Sequence, residues 1–313
     1  MRLLYRTPII RFIYLLWGLV LLTACHDRQP ATETKHSAYY WSTTFETDTT
    51  QLQFLEQHQV ERIYLRFFDV VMTNGEAMPN ATVRFASSIP KGVEVVPTVF
   101  IVNDCFHHDT SDLDQKLLGR VLQMCETHDV TGVHEIQIDC DWTARTRKAY
   151  FAFLERLRDS AHKKNINLSV TIRLHQLADE APPADHGVLM MYNTGDVADL
   201  DHNPILEEDA VKPYLRHIAD YSLPLSTAYP VFEWQLLVRG NHFVGIMHGD
   251  DDLPQLPGDT ILRREALPKT VKTVKEAVSH LRPDANNEVI IFDMSKNNIQ
   301  RFNQYHYEEI FSH

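Results

Sequence analysis

Strand-like and helix-like segments alternate along almost the whole chain, and no other feature constrains its fold as strongly. Segments rich in β-branched and aromatic residues at 39–45, 62–71, 94–104, 134–142, 167–175, 187–196, 223–230 and 288–295 read as eight strands. Between many of them lie segments whose apolar residues recur at helical spacing, at 49–59, 111–129, 145–164, 203–221 and 267–281. Ser111 stands where the second of these would be capped. Residues 232–248 break the rhythm and read as a hairpin turning at Gly240-Asn241. Strands separated by helices imply parallel pairing through crossovers, and eight of them imply an α/β fold of the (β/α)8 TIM-barrel type. The competing architecture is a doubly wound open sheet. It would want a glycine-rich phosphate loop at its first turn, and the sequence has none, so no nucleotide or other cofactor is expected.

The first residues carry an address. Arg2, Arg6 and Arg11 precede the apolar run FIYLLWGLVLLTAC, the layout of a secretory signal. Its end, LTAC, resembles a bacterial lipobox. The resemblance implies removal of 1–24, lipidation of Cys25 and anchoring of the protein to a membrane of the cell envelope. A plain transmembrane anchor is the alternative. Residues 25–37 then read as a polar tether, and 38–313 as a single barrel domain with the hairpin inserted near 231–248. Loss of 1–24 removes three arginines and no acids, so the net charge of −12 becomes −15. A body this acidic argues against nucleic acid as a partner. Three cysteines follow Cys25, at 105, 125 and 140. An odd number cannot all pair within one chain; buried thiols and a single disulfide both remain open.

Within the fourth predicted strand, HEIQIDCDWTAR, the polar residues Glu135, Gln137, Asp139 and Asp141 fall on one face, and Ile136, Ile138, Cys140 and Trp142 on the other. Polar groups facing into a barrel must be paired; near the C-terminal strand ends they can form an active site. Asp139 and Asp141 are expected there, roughly 7 Å apart along one face. Carboxylates so close can share a proton, which suits acid–base chemistry.

The stretch IQIDCDWT resembles the fourth-strand signature D-x-x-D-x-D-x-E of glycoside hydrolase family 18, the chitinases and endo-N-acetylglucosaminidases. Asp139 and Asp141 match its second and third aspartates; Ile136 replaces the first, and Thr143 replaces the glutamate. MMYN, Met190 to Asn193, resembles the family's sixth-strand M-x-Y-[DN]. The pattern is also similar to bacterial TIM-barrel lipoproteins distantly related to these hydrolases. The resemblance implies a TIM barrel that hydrolyses or binds a glycan containing N-acetylhexosamine. It also implies that Tyr192 and Asn193, beside Met190, orient the acetamido group, and that Asp141 stabilises it. In the family the glutamate protonates the leaving oxygen. A threonine cannot, and losing a general acid costs about 10²–10⁴-fold.

Glu233 is the first candidate for a replacement acid, ahead of Asp69 and Asp293. Trp41, Tyr229 and Trp234 are candidate stacking surfaces for sugar rings, with Tyr39 and Trp142 behind them. Arg66, Arg173 and His175 are placed either to pair with the aspartates or to bind substrate hydroxyls. A barrel that has lost its acid and only binds a glycan or a protein is the alternative to an enzyme. A metal-dependent hydrolase is the less favoured third reading. It rests on Asp104, His107, His108 and Asp109, and on His248 and Asp250 to Asp252, which lack any metal-ligand spacing.

Overall fold

A computed structural model describes residues 34–247 and 253–312 of the chain. Eight parallel strands form one closed barrel: β1 (Lys35–Tyr40), β2 (Val60–Thr73), β3 (Glu94–Ile101), β4 (Glu135–Asp139), β5 (Asn167–Arg173), β6 (His186–Met190), β7 (Leu225–Pro230) and β8 (Glu288–Phe292). They pair in sequence order, and β1 closes the ring by pairing with both β8 and β2. The TIM barrel is thus observed, and closure excludes the open sheet.

Helices cover most crossovers: α1 (Thr49–Gln57) after β1, α2 (Leu113–Thr127) after β3, α3 (Arg147–His162) after β4, α4 (Glu208–Leu215) after β6, α5 (Pro268–Leu281) after β7 and α6 (Gln304–Phe311) after β8. α1 begins at Asp48, whose carboxylate accepts the Gln51 N–H while the Gln51 side chain accepts the Asp48 N–H, a reciprocal cap. α2 departs from expectation. Asp112, not Ser111, precedes it, and no side chain caps it.

Three further differences concern segments added to the barrel. Lys35 to Ser37, assigned to the tether, belong to β1. β2 runs past the barrel and folds back as an antiparallel arm, pairing with Glu76–Asn80. The insertion after β7 is larger than a hairpin. Strands Glu233–Arg239 and His242–Met247 do turn at Gly240-Asn241, but a third, Asp259–Glu265, pairs along the other side of the first. This third strand is charged at both ends and largely exposed, and so lacks an apolar run.

The inward faces of the strands are polar at both ends of the barrel. At the N-terminal end, the Arg62 guanidinium makes two hydrogen bonds to Glu94 and one to Glu135 at 3.1 Å. Lys35 also binds Glu94, at 3.0 Å. The Glu288 carboxylate lies 3.7 Å from Arg62 and accepts the hydroxyls of Ser37, Tyr64 and Ser226. These acids sit on the first residues of β3, β4 and β8, so the cluster plugs the barrel floor. One step up, the buried Tyr39 hydroxyl donates to Gln137 at 2.6 Å. Gln137 in turn donates to Ser169.

Burial works against the Glu94 charge, but Arg62 and Lys35 outweigh it and hold its pKa below the ordinary value. A depressed carboxylate contributes stability above its unfolded pKa of about 4.3 and loses it as pH falls through the folded value. Acid should therefore weaken the fold below about pH 4.3, and Glu94→Gln should flatten that part of a plot of urea midpoint against pH. Arg62→Met removes the cation paired with the buried Glu135 and one of the two on Glu94, and should cost about 3 kcal/mol at pH 7. In urea titrations the gap from the parent should narrow toward pH 4.

Candidate active site

β4, β5 and β6 end together at the C-terminal mouth. Register sets the level: Arg173 lies opposite Met190, and Met190 opposite Ala228. Asp139 is the last residue of β4, faces inward and is 5 % exposed. Asp141 follows two residues later on the same side, and its side chain is 59 % exposed. Alternation along the strand thus carries one carboxylate into the barrel and the other to its rim, as the polar stripe implied.

The two aspartates do not face each other bare. The Arg173 guanidinium lies between them, with Nη2 donating to Asp139 Oδ1 at 2.9 Å and Nε to Asp141 Oδ1 at 2.5 Å. The Thr171 hydroxyl donates to the same Asp139 oxygen at 2.6 Å. Burial opposes the charge on Arg173, but Asp139 and Asp141 prevail and hold its pKa above the ordinary value. The two aspartates are thus joined in a carboxylate–guanidinium–carboxylate bridge. Arg173 Nη1 is buried with no hydrogen-bond partner.

Tyr192, two residues beyond β6, is nearly buried beside this bridge, and its hydroxyl donates to Met190 Sδ at 3.1 Å. Burial pushes its pKa well above the ordinary value, Arg173 counters, and Asp139, Asp293 and Asp141 add to the rise. It is a neutral donor at any physiological pH. Asn193 turns the chain out of the mouth with a positive φ of 56° and an exposed side chain, a conformation asparagine tolerates well. Met190 supports Tyr192 from below and has 1 % exposure.

A band of rings continues from Tyr192. Phe292, at the end of β8, lies 4.8 Å from Tyr192 and 5.6 Å from Trp41; Phe232 lies 5.8 Å from Tyr192 and 5.6 Å from Trp234. Trp41 and Trp234 are partly exposed at its two ends. The sequence reading missed Phe292 and Phe232. Strict alternation in EVIIF, which turns Glu288, Ile290 and Phe292 inward, carried the signal for the first. Arg66 supports the Trp41 end, with its guanidinium 5.4 Å from the ring centroid, but its carboxylate partner is Asp69 rather than Asp139 or Asp141.

Several expected residues are committed elsewhere. Tyr229 faces the helical layer, fully buried, and its hydroxyl donates to Asn286. In β7 it is Ser226 that points inward, to Glu288, and Tyr229 has the opposite parity. Tyr229 is therefore withdrawn from the substrate-binding set. Trp142 packs outward against Tyr150 and Phe151 of α3, as its parity predicts. His175 is exposed in the short turn after β5. Glu233, the first choice of replacement acid, is ion-paired with Arg301, which also binds Glu265. Asp69 is gripped by Arg66. Asp293 accepts the Ser295 N–H and the Asn298 amide on one oxygen; among the described residues no arginine or lysine is paired with it. Thr143 is exposed and turns back on Thr146 before α3. The site thus offers fixed donors, carboxylate acceptors and ring faces, but no carboxylic acid at position 143.

Among the described residues no group of three or more histidines, cysteines or acids could hold a metal. Asp104, His107, His108 and Asp109 are exposed, with only a 3.9 Å His108–Asp104 approach. His248 and Asp250 to Asp252 lie outside the described residues, as do 1–24 and Cys25. Cys105, Cys125 and Cys140 are free and buried.

No protein-family model matches the chain, and no curated protein matches it. Solved structures do. The C-terminal domain of a putative chitinase from Desulfitobacterium hafniense superposes with a TM-score of 0.62 at 12% identity, covering 89% of this chain and 99% of that one. The spore cortex-lytic enzyme SleL of Bacillus megaterium gives 0.59 at 11% identity, over 89% and 74% of the two chains. A GH18 chitinase variant from Cycas revoluta, solved with (GlcNAc)4, gives 0.57 at 10% identity, over 88% and 99%. At these identities the likeness concerns architecture, and the architecture of this chain is a glycoside hydrolase family 18-like (β/α)8 barrel.

Proposed function

We propose that this barrel is a cell-envelope lipoprotein, anchored through Cys25, whose mouth binds a glycan containing N-acetylhexosamine without the acid chemistry of its structural relatives. One observation carries the reading. Arg173 bonds both Asp139 and Asp141, while Thr143 stands where the acid is expected. A carboxylate pair bridged by a guanidinium can orient a ligand through its remaining oxygens, and position 143 offers a hydroxyl in place of a carboxylic acid. The ring band from Trp41 through Phe292 and Tyr192 to Trp234 supplies apolar faces for sugar CH surfaces. The structures of similar fold include a putative chitinase, a spore cortex-lytic enzyme and a chitinase solved with (GlcNAc)4, and they support this class of ligand.

A second reading, retained hydrolysis, draws on Asp293. Of the three replacement acids it alone is free of an arginine partner among the described residues, and it lies close enough to Tyr192 to raise that hydroxyl's pKa.

The two readings separate in one experiment. Full-length protein in detergent is titrated with chitin oligomers, peptidoglycan fragments and N-glycans, and the same mixtures are followed for released reducing ends. The binding reading expects saturable affinity for one class, unaffected by chelator, with no turnover. Tyr192→Phe should then weaken binding about 2–10-fold through loss of one hydrogen bond, and Asp141→Ala by a similar factor. Turnover abolished by Asp293→Asn would overturn the binding reading in favour of the second. Failure of every glycan to bind would remove both.

A further inference from the structure

The charge balance of the mouth narrows the kind of sugar that it suits. Arg173 meets two carboxylates, Asp139 at 2.9 Å and Asp141 at 2.5 Å, so the bridge keeps one negative charge in excess. Asp293 brings another. It follows Phe292, whose ring lies 4.8 Å from Tyr192, and its two hydrogen bonds come from a backbone N–H and an amide, both uncharged. Burial comes first in raising the Tyr192 pKa, Arg173 opposes it, and all three carboxylates add to the rise. Each of them is therefore within electrostatic reach of that hydroxyl. Next to Trp234, Glu233 and Glu265 share the single cation of Arg301. The loop that leaves Tyr192, residues 193–207, carries four acids and no lysine or arginine.

The cations of the neighbouring loops do little to restore the balance. Lys296 is paired with Asp48, Arg147 faces Asp179 and Arg66 is held by Asp69. Arg145, exposed in the loop after β4, stands against the excess. Asp141 gives one oxygen to Arg173 and its side chain is 59 % exposed, so its other oxygen can accept from an ammonium. We infer that the mouth selects glycans in which some hexosamine units carry a free amine, and that Asp141 and Asp293 set this preference. A protonated amine gains from the excess negative charge, an N-acetylated unit is indifferent to it, and a carboxylate-bearing unit is repelled. The amine lies at the edge of the sugar ring and leaves its CH faces to the aromatic band.

The inference rests on the glycan-binding reading and names the class of chain it takes, one partly de-N-acetylated. Tetramers of equal length, (GlcN)4 and (GlcNAc)4, differ in charge at the amine and serve as probes. Both are titrated calorimetrically into full-length protein in detergent at about pH 6, below the ~7.7 at which an amine of this kind titrates. At low salt (GlcN)4 should bind about fivefold or more tighter, and the gap should close toward about 1 M salt. Asp141→Asn and Asp293→Asn should each weaken (GlcN)4 about 2–5-fold and leave (GlcNAc)4 within about twofold, which also shows that the variants fold. Glu126→Gln removes an exposed acid in the last turn of α2 and should change neither. Equal affinities for the two tetramers, or a gap that both aspartate variants leave intact, would overturn the preference while the binding reading stands. A gap reduced as much by Glu126→Gln would overturn it too, as general attraction to an acidic body. Binding of neither tetramer would remove the preference together with the reading beneath it.

Discussion

A closed barrel leaves its inward side chains no route to bulk water except through the two ends. Any polar group on an inward position must find its partner inside or reach an opening. The chain has polar inward residues at both ends, and each end gathers around one arginine. Arg62 holds Glu94 and Glu135 at the floor and approaches Glu288; Arg173 holds Asp139 and Asp141 at the mouth. The surroundings make the difference. At the floor Glu288 is further satisfied by hydroxyls, while Glu135 keeps one buried oxygen without a hydrogen-bond partner. At the mouth Asp141 stays exposed and Arg173 keeps a nitrogen unspent. The mouth cluster reaches solvent through Asp141.

The barrel was legible because periodicity and count survive without knowledge of contacts. Eight β-rich segments spaced by helices leave few topologies, and the polar stripe of β4 told by parity which residues turn inward. Parity also placed Trp142 on α3. The same rule, applied to β7, would have turned Tyr229 outward, since the inward Ser226 is three residues before it. The partners of the charges were not legible. Arg173 is 32 residues from Asp141, and Arg301 is 68 from Glu233; both meetings depend on closure of the ring. Thus the candidate acid Glu233 looked free in sequence and is paired in the fold. The third insertion strand was hidden because Asp259–Glu265 is a largely exposed edge whose charges mimic a loop.

At the mouth, a barrel frame similar to that of family 18 structures carries a carboxylate–guanidinium–carboxylate centre. The geometry of β4 and β6 places the aspartates and the tyrosine together at the C-terminal strand ends. Arg173 from β5 lies between the carboxylates and bonds both. Thr143 is drawn into the turn that starts α3, where its hydroxyl meets Thr146 and not the mouth.

The arm built from the end of β2 and Glu76–Asn80 leaves one edge of the sheet open. An open edge is a template on which another chain can add a strand. Here that edge is five residues long and mostly exposed, starts with a glutamate and includes Pro79, which has no N–H to offer. In a crowded compartment the arm should resist fibril-like stacking between copies, and this molecule can extend a bare strand beyond its barrel without becoming adhesive.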